Sequence, residues 1–386
     1  MSYQKGYVFA AACMGMLMFG VSLLVIGPML PSIASRFALD GTATGAVVSL
    51  LPFGLLGGSL VFGPIVDRFG YRPLLLVSGL LVVAGLEALA YAPRVGFLRL
   101  AILAIGFGGG LLNGGTNALV ADISAGERGA KLSLLGVFFG LGALGMPVLM
   151  AALHGVPHEV VLSRIGIVLL APLLYFAVIS FPLPKQAQGF PLAQGAALLR
   201  DRTLLLVAFT LALQSGVEGV VNNWTTTFLQ GVRGLEPAAA LVGLSTYVGG
   251  MTVARLGLAG VLRRVAGGRV LLGGLLLALV GIVALVRAPG AMGGTIALAL
   301  IGVGLSVGFP LLMGYVVDLF PHISGTALSV VLTIALPGNM ALNYVTGVLN
   351  DAIGEIALPV VVTGSLVVEL VLAALAMRAL RRRLDR

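Results

Sequence analysis

Apolar residues run along this chain in long blocks, parted by short segments that carry Arg, Asp, Gly and Pro. A helix needs roughly 20 apolar residues to cross the hydrocarbon core of a bilayer. Twelve blocks reach that length: 7–30, 42–65, 73–92, 97–121, 130–152, 161–182, 203–228, 237–261, 269–287, 291–317, 323–349 and 356–379. The pattern predicts an all-α polytopic membrane protein with twelve transmembrane helices. The longest connection, 183–202, replaces apolar periodicity with Pro, Gln and Gly, and divides the blocks six and six. It is expected to be a cytoplasmic linker between an N-terminal six-helix bundle (1–182) and a C-terminal one (203–386). The first block outruns the ~15 apolar residues of a secretory leader. It closes on Pro28 and Pro31, a pair expected to break the helix, so it reads as a retained span.

Composition agrees with this pattern. Of 386 residues 59% are hydrophobic and 10% charged, against about 25% charged in soluble domains. Glycine, at 56 residues, suits membrane helices whose backbones meet at small side chains. The net charge of +9 lies in loops and at the C-terminus, without aromatic interleaving. It therefore argues for an anionic lipid surface and for orientation, not for nucleic acid. Six of the 23 Lys and Arg residues (Arg36, Arg94, Arg99, Arg164, Arg233 and Arg287) fall on one side of the predicted membrane, and the rest share the side of both termini. That bias places both termini in the cytoplasm, with a bacterial inner membrane as the expected location. The single Cys13 excludes an internal disulfide framework and reads as a packing residue.

An internal repeat underlies the six-plus-six division. Gly63, Gly70 and Arg72 match Gly260, Gly267 and Arg269 at an offset of 197, and Asp122 and Gly129 match Asp318 and Gly325 at 196. Parallel repeats of six helices are an architecture of transporters that rock about a midplane site. The stretch 63–72, GPIVDRFGYR, resembles the loop between the second and third spans of the major facilitator superfamily. In that superfamily the loop's Asp and Arg latch cytoplasmic helix ends. The resemblance implies the major facilitator fold, and a conformational latch at Asp67, Arg68 and Arg72; Arg255, near the inner end of span eight, is expected to join such a latch by meeting Asp67 or Asp318. Gly63 and Gly70 are both expected to serve tight turns and close helix contact. The Gly-rich patterns in spans four, five, seven and ten, with PMLP at 28–31, are similar to the fucose-galactose-glucose symporter group. Gly27 and Asn113 stand where that group tends to carry acids, which tells against coupling through the usual carboxylates.

Polar residues within the blocks carry the candidate chemistry. Gln214, Glu218 and Asn222 are spaced by four, with Thr225 one turn on, so they share one face of span seven. Asn113 and Asn117 in span four, and Asn339 and Asn343 in span eleven, repeat that spacing. Amides donate and accept at once, as hydroxyls do, and Trp224 offers a flat face to a sugar ring. These residues are expected to bind a small neutral polar solute, a sugar above all, in a central cavity that no Lys or Arg enters. Helix-to-helix bonding is the other reading of the same amides, and Trp224 reads equally as an interfacial belt residue. Glu218 is the candidate for proton or cation (Na⁺) coupling. Glu87 is expected near a helix end in reach of water. Glu369 lies deep in span twelve without an evident partner.

These features describe a secondary transporter working by alternating access, importing by symport or facilitation. Efflux of amphipathic compounds is the alternative in the same superfamily. No phosphate-binding G-x-x-x-x-G-K-[ST] loop occurs, so no nucleotide or other cofactor is expected. One Cys, with three His outside the spans, leaves no nucleophile–base pair for an intramembrane enzyme. His154 and His158, four apart, read as solvated loop residues and not as a metal site. A monomer is expected.

Overall fold

The computed structural model describes residues 3–124, 128–183, 198–287, 290–320 and 323–384. Every element is helical: α1 (Lys5–Leu24), α2 (Ile26–Arg36), α3 (Gly41–Phe69), α4 (Tyr71–Ala90), α5 (Val95–Ile123), α6 (Arg128–Ala152), α7 (His158–Val178), α8 (Arg202–Gly231), α9 (Pro237–Leu262), α10 (Gly267–Arg287), α11 (Gly290–Leu305), α12 (Gly308–Leu319), α13 (Ser324–Ile353) and α14 (Ala357–Leu384). Most of the expected linker, with Lys185, lies outside the described residues, as does His322.

Two crossings are interrupted. In the first, α1 stops at Leu24 and α2 resumes at Ile26. Pro28 has no N–H to offer the carbonyl four residues back, which is that of Leu24. The helix then runs through Pro31 to Arg36, so the Pro pair interrupts the crossing without ending it, contrary to the sequence expectation. In the tenth crossing, α11 ends at Leu305 and α12 begins at Gly308. Among the described residues, eleven helical stretches are long and apolar enough to cross a membrane. The longest, Thr326–Arg383, takes in nearly all of α13 and α14, which are separated at Gly354, whose φ of 71° turns the chain. Helices of 30 and 28 residues each extend at least about 42 Å at ~1.5 Å per residue, so this stretch supplies two crossings and the total is twelve.

Contacts divide the chain into two compact units, Met1–Met29 with Leu50–Phe190, and Leu30–Ser49 with Pro191–Arg386. Within the first, α1 lies against α6 with glycine on both sides. A Cβ on Gly20 would stand 2.3 Å from the Phe139 carbonyl oxygen, and one on Gly142 2.1 Å from that of Leu17. Gly54 and Gly106 do the same for α3 and α5, Gly85 and Gly108 for α4 and α5. The second unit repeats every one of these contacts 196 residues on: Gly216 and Gly338 between α8 and α13, Gly250 and Gly302 between α9 and α11, Gly281 and Gly304 between α10 and α11. Backbones that approach this closely gain dispersion contacts that lipid does not compete for. The repeat is thus a packing register of 196. The loop match at 197 is one residue out of step with the helices on either side, and the position equivalent to Arg72 is Gly268.

Gly70, at φ 84°, makes the turn into α4. Gly63 lies inside α3 with open space where a Cβ would be, so the close contact expected of it is absent. At the start of α8, Asp201 accepts from the Thr203 and Leu204 N–H groups and pairs with Arg383 at 2.5 Å. Burial pushes its carboxyl up, but the Leu204 N–H and the Arg383 guanidinium outweigh that and hold it below the usual carboxylate range. The N–H groups that open α3 are capped from a distance: Asp351 accepts from Gly41 at 2.5 Å and from Thr42 at 2.7 Å.

Gly106→Ala and Gly302→Ala should each lower the melting temperature of the detergent-solubilised protein, by overpacking worth about 1–3 kcal/mol, while Gly63→Ala leaves it unchanged. Asp201→Ala should cost about 0.5–2 kcal/mol through the lost helix cap. A depressed carboxyl contributes stability above its unfolded pKa and loses it as pH falls through the folded value. The gap in melting temperature between wild type and Asp201→Asn should therefore close on acidification.

Candidate functional site

The polar stripe of α8 belongs to the second unit, where the break in the tenth crossing meets it. Pro310 has no N–H for the Ser306 carbonyl four residues back. That carbonyl accepts instead from Arg255 Nε at 3.3 Å. The Leu305 carbonyl, at the end of α11, accepts from Gln214 Nε2 at 2.9 Å. Gln214 is fully buried and also donates to Glu218 Oε1 at 2.7 Å. A Cβ on Gly308 would fall 2.1 Å from Gln214 Oε1, so glycine there is what admits the amide. Glu218 Oε2 lies 3.5 Å from Arg255, and the two side chains retain 16% and 27% of their exposure. One carboxylate, one guanidinium and one amide thus close around two carbonyls released from a helix.

This arrangement corrects the expectation that no Arg enters the polar region, because Arg255 is part of it. Arg255 also meets Glu218, where Asp67 or Asp318 was the expected partner. The signal was present in the sequence: an Arg inside an apolar crossing costs about 2.5–3.5 kcal/mol on insertion scales and needs a partner. Pro310 among Gly302, Gly304 and Gly308 marked the break.

Asn339 and Asn343 join α13 to α8. Asn339 Nδ2 donates to the Ser215 carbonyl at 2.6 Å, and Asn343 Nδ2 to Asn339 Oδ1 at 2.9 Å. Asn343 Oδ1 accepts from both Asn223 Nδ2 (3.1 Å) and Trp224 Nε1 (3.3 Å). Trp224 is 2% exposed, which rules out the interfacial-belt reading. It also lines a cavity of about 430 Å³ at the C-terminal end of α8, with Pro31, Thr227, Gln230, Asn350 and Glu355 among its walls. Asn222 is half-buried, and its Oδ1 has no partner among the described residues.

The remaining candidates lie in the first unit. Asn117 Nδ2 donates to the carbonyl and the Oδ1 of Asn113, at 2.8 and 3.1 Å. Arg72 donates to the Ala177 carbonyl near the end of α7, Arg68 lies over its neighbour Phe69, and Tyr71 donates to Asp122 at 2.6 Å beside Asp67. Glu87 accepts from Ser163 at 3.0 Å, with Gly166 making room for it. In the second unit, Asp318 neighbours Tyr315 on α12.

A model of the Major Facilitator Superfamily matches residues 8–342. Among curated proteins, a facilitated glucose transporter of solute carrier family 2 from Danio rerio is 30% identical over 49% of this chain and 37% of its own length. A D-xylose transporter of Levilactobacillus brevis is 28% identical over 34% of this chain and 29% of its own. The galactose-proton symporter of Escherichia coli strain K12 is 30% identical over 36% of this chain and 30% of its own. The chain thus spans only about a third of the length of these relatives. The fold is more widely shared. A crystal structure of a D-xylose-proton symporter superposes with a TM-score of 0.76 at 16% identity, covering 95% of this chain and 97% of the other. A nucleoside transporter superposes at 0.77 with 16% identity, covering 97% and 99%.

Arg255→Gln should leave the Glu218 carboxylate without its counter-charge and cost about 1–3 kcal/mol. Adding Glu218→Gln should recover most of that loss, read as a coupling energy in a double-mutant cycle of melting temperatures.

Proposed function

The chain belongs to the Major Facilitator Superfamily, and from that premise we propose that it carries a small neutral sugar across the membrane by alternating access. It is a membrane transporter and not an enzyme. Sugar as the solute is supported by the names of relatives that transport glucose, xylose and galactose. The observation that carries the reading is the α8 stripe of Gln214, Glu218 and Asn222, a row of donors and acceptors on one face of a membrane helix. Polar groups in such helices face a pathway or a partner. The Asn222 Oδ1 is buried without a partner among the described residues, a group for a solute to satisfy when the site opens, whereas Asn339 and Asn343 spend much of their bonding capacity on helix packing and hold Trp224 in place. Asn113 and Asn117 are the amides we assign to solute binding in the first unit.

Glu218 is the residue we assign to coupling with H⁺. Its pairing with Arg255 disfavours Na⁺, because the guanidinium already holds the place a cation would take. The Lys and Arg bias supports cytoplasmic termini and a bacterial inner membrane. Asp67, Arg68, Arg72 and Asp318 remain the proposed latch.

Purified protein in proteoliposomes should take up labelled D-xylose, D-galactose or D-glucose, and an inward proton gradient should accelerate the uptake. Asn222→Ala should raise the half-saturating concentration, and Glu218→Gln should abolish the response to the gradient. Absence of uptake for all three sugars, together with extrusion of a lipophilic dye, would replace sugar import with efflux.

A further inference from the structure

Glu369 lies near the middle of α14 with no solvent exposure. Neither carboxylate oxygen has a hydrogen-bond partner among the described residues. A bare buried carboxylate is among the costliest groups a membrane helix can carry, and neutralisation by a proton is its usual escape. The charged groups around it are few. α14 packs on α8, α10 and α13. α8 contributes Glu218, which lies within electrostatic reach. α10 has no titratable residue between Arg269 and Arg287, and α13 has none from Ser324 until Tyr344, which is 45% exposed. From α9 come Arg255 and Tyr247, both within electrostatic reach of Glu218. Two acids therefore share one cation, and Glu218 has taken it.

Further polar atoms around Glu218 are left without partners. Tyr247 Oη and Gln214 Oε1 are buried and unsatisfied among the described residues. Buried unpaired polar atoms are the places that bridging waters take in protein cores, and those here lie around Glu218, which is within electrostatic reach of Glu369.

We propose that Glu369 is a second proton-binding site of this transporter, holding an exchangeable proton while Arg255 neutralises Glu218. The assignment to transport rests on the sugar-uptake reading above; the protonation itself does not. Infrared spectroscopy of the reconstituted protein separates the two. At neutral pH the wild type should show the C=O stretch of a protonated carboxylic acid, lost in Glu369→Gln and kept in Glu218→Gln. The band should shift down in D₂O, because the proton exchanges. A band that Glu369→Gln leaves intact would overturn the proposal, and one insensitive to D₂O would make Glu369 a sealed structural acid. In proteoliposomes given D-xylose or D-galactose, Glu369→Gln should preserve counterflow exchange and lose accumulation driven by a pH gradient. Glutamine matches the protonated acid in size and polarity, so accumulation at the wild-type level would sink the coupling role. If neither sugar is transported by the wild type, the substrate reading falls while the infrared result still decides Glu369.

Discussion

In lipid, every backbone carbonyl must find a donor inside the protein. The second unit is organised around a place where the helix alone does not meet that demand. Pro310 withdraws the donor that Ser306 would have used, and α11 ends one residue earlier. The freed carbonyls draw Arg255 and Gln214 to them. Arg255 then requires a counter-charge, which Glu218 provides, and Gln214 completes the set by donating to Glu218 as well. One helix break in an apolar crossing thereby fixes three side chains from two other helices. The most polar part of the unit is also the part most constrained by backbone bonding.

Glycine supplies the other constraint. Carbonyl oxygens stand 2.1–2.3 Å from where a Cβ on Gly20, Gly106, Gly142 or Gly302 would be, so larger residues there would force helices apart. The same helix pairs close in both units, at a spacing that does not drift by one residue. Over so apolar a chain this register, more than any polar bond, holds each unit together.

Much of this was visible in the sequence because hydrophobic length and four-residue spacing are local properties. The twelve crossings and the α8 stripe follow from such counting. The fate of the amides does not. Asn339 and Asn343 have the same spacing as Gln214 and Glu218, yet one pair bonds helix to helix and the other meets an arginine; the partners sit about a hundred residues away or reach across from another crossing. Arg255 lies near a predicted helix end, where spacing alone groups it with the loop charges. Only the position of the break shows that its side chain turns inward. Loop similarity suggested an offset of 197, since turns tolerate slippage that packed glycines do not.

Overlaying the two halves at 196 residues has a consequence for where specificity resides. Gln214 falls on Met18, Glu218 on Ser22, Asn222 on Ile26, Arg255 on Ser59, Asn339 on Ala143, Asn343 on Pro147 and Glu369 on Leu173. The packing scaffold is duplicated and the polar chemistry on it is not: these seven positions carry at most a serine hydroxyl in the first half, and Glu87, Asn113 and Asn117 of the first half fall in turn on Val283, Phe309 and Met313. A repeated backbone register here coexists with polar sites that have no counterpart across the repeat, so swapping side chains between equivalent positions would move chemistry without moving helices.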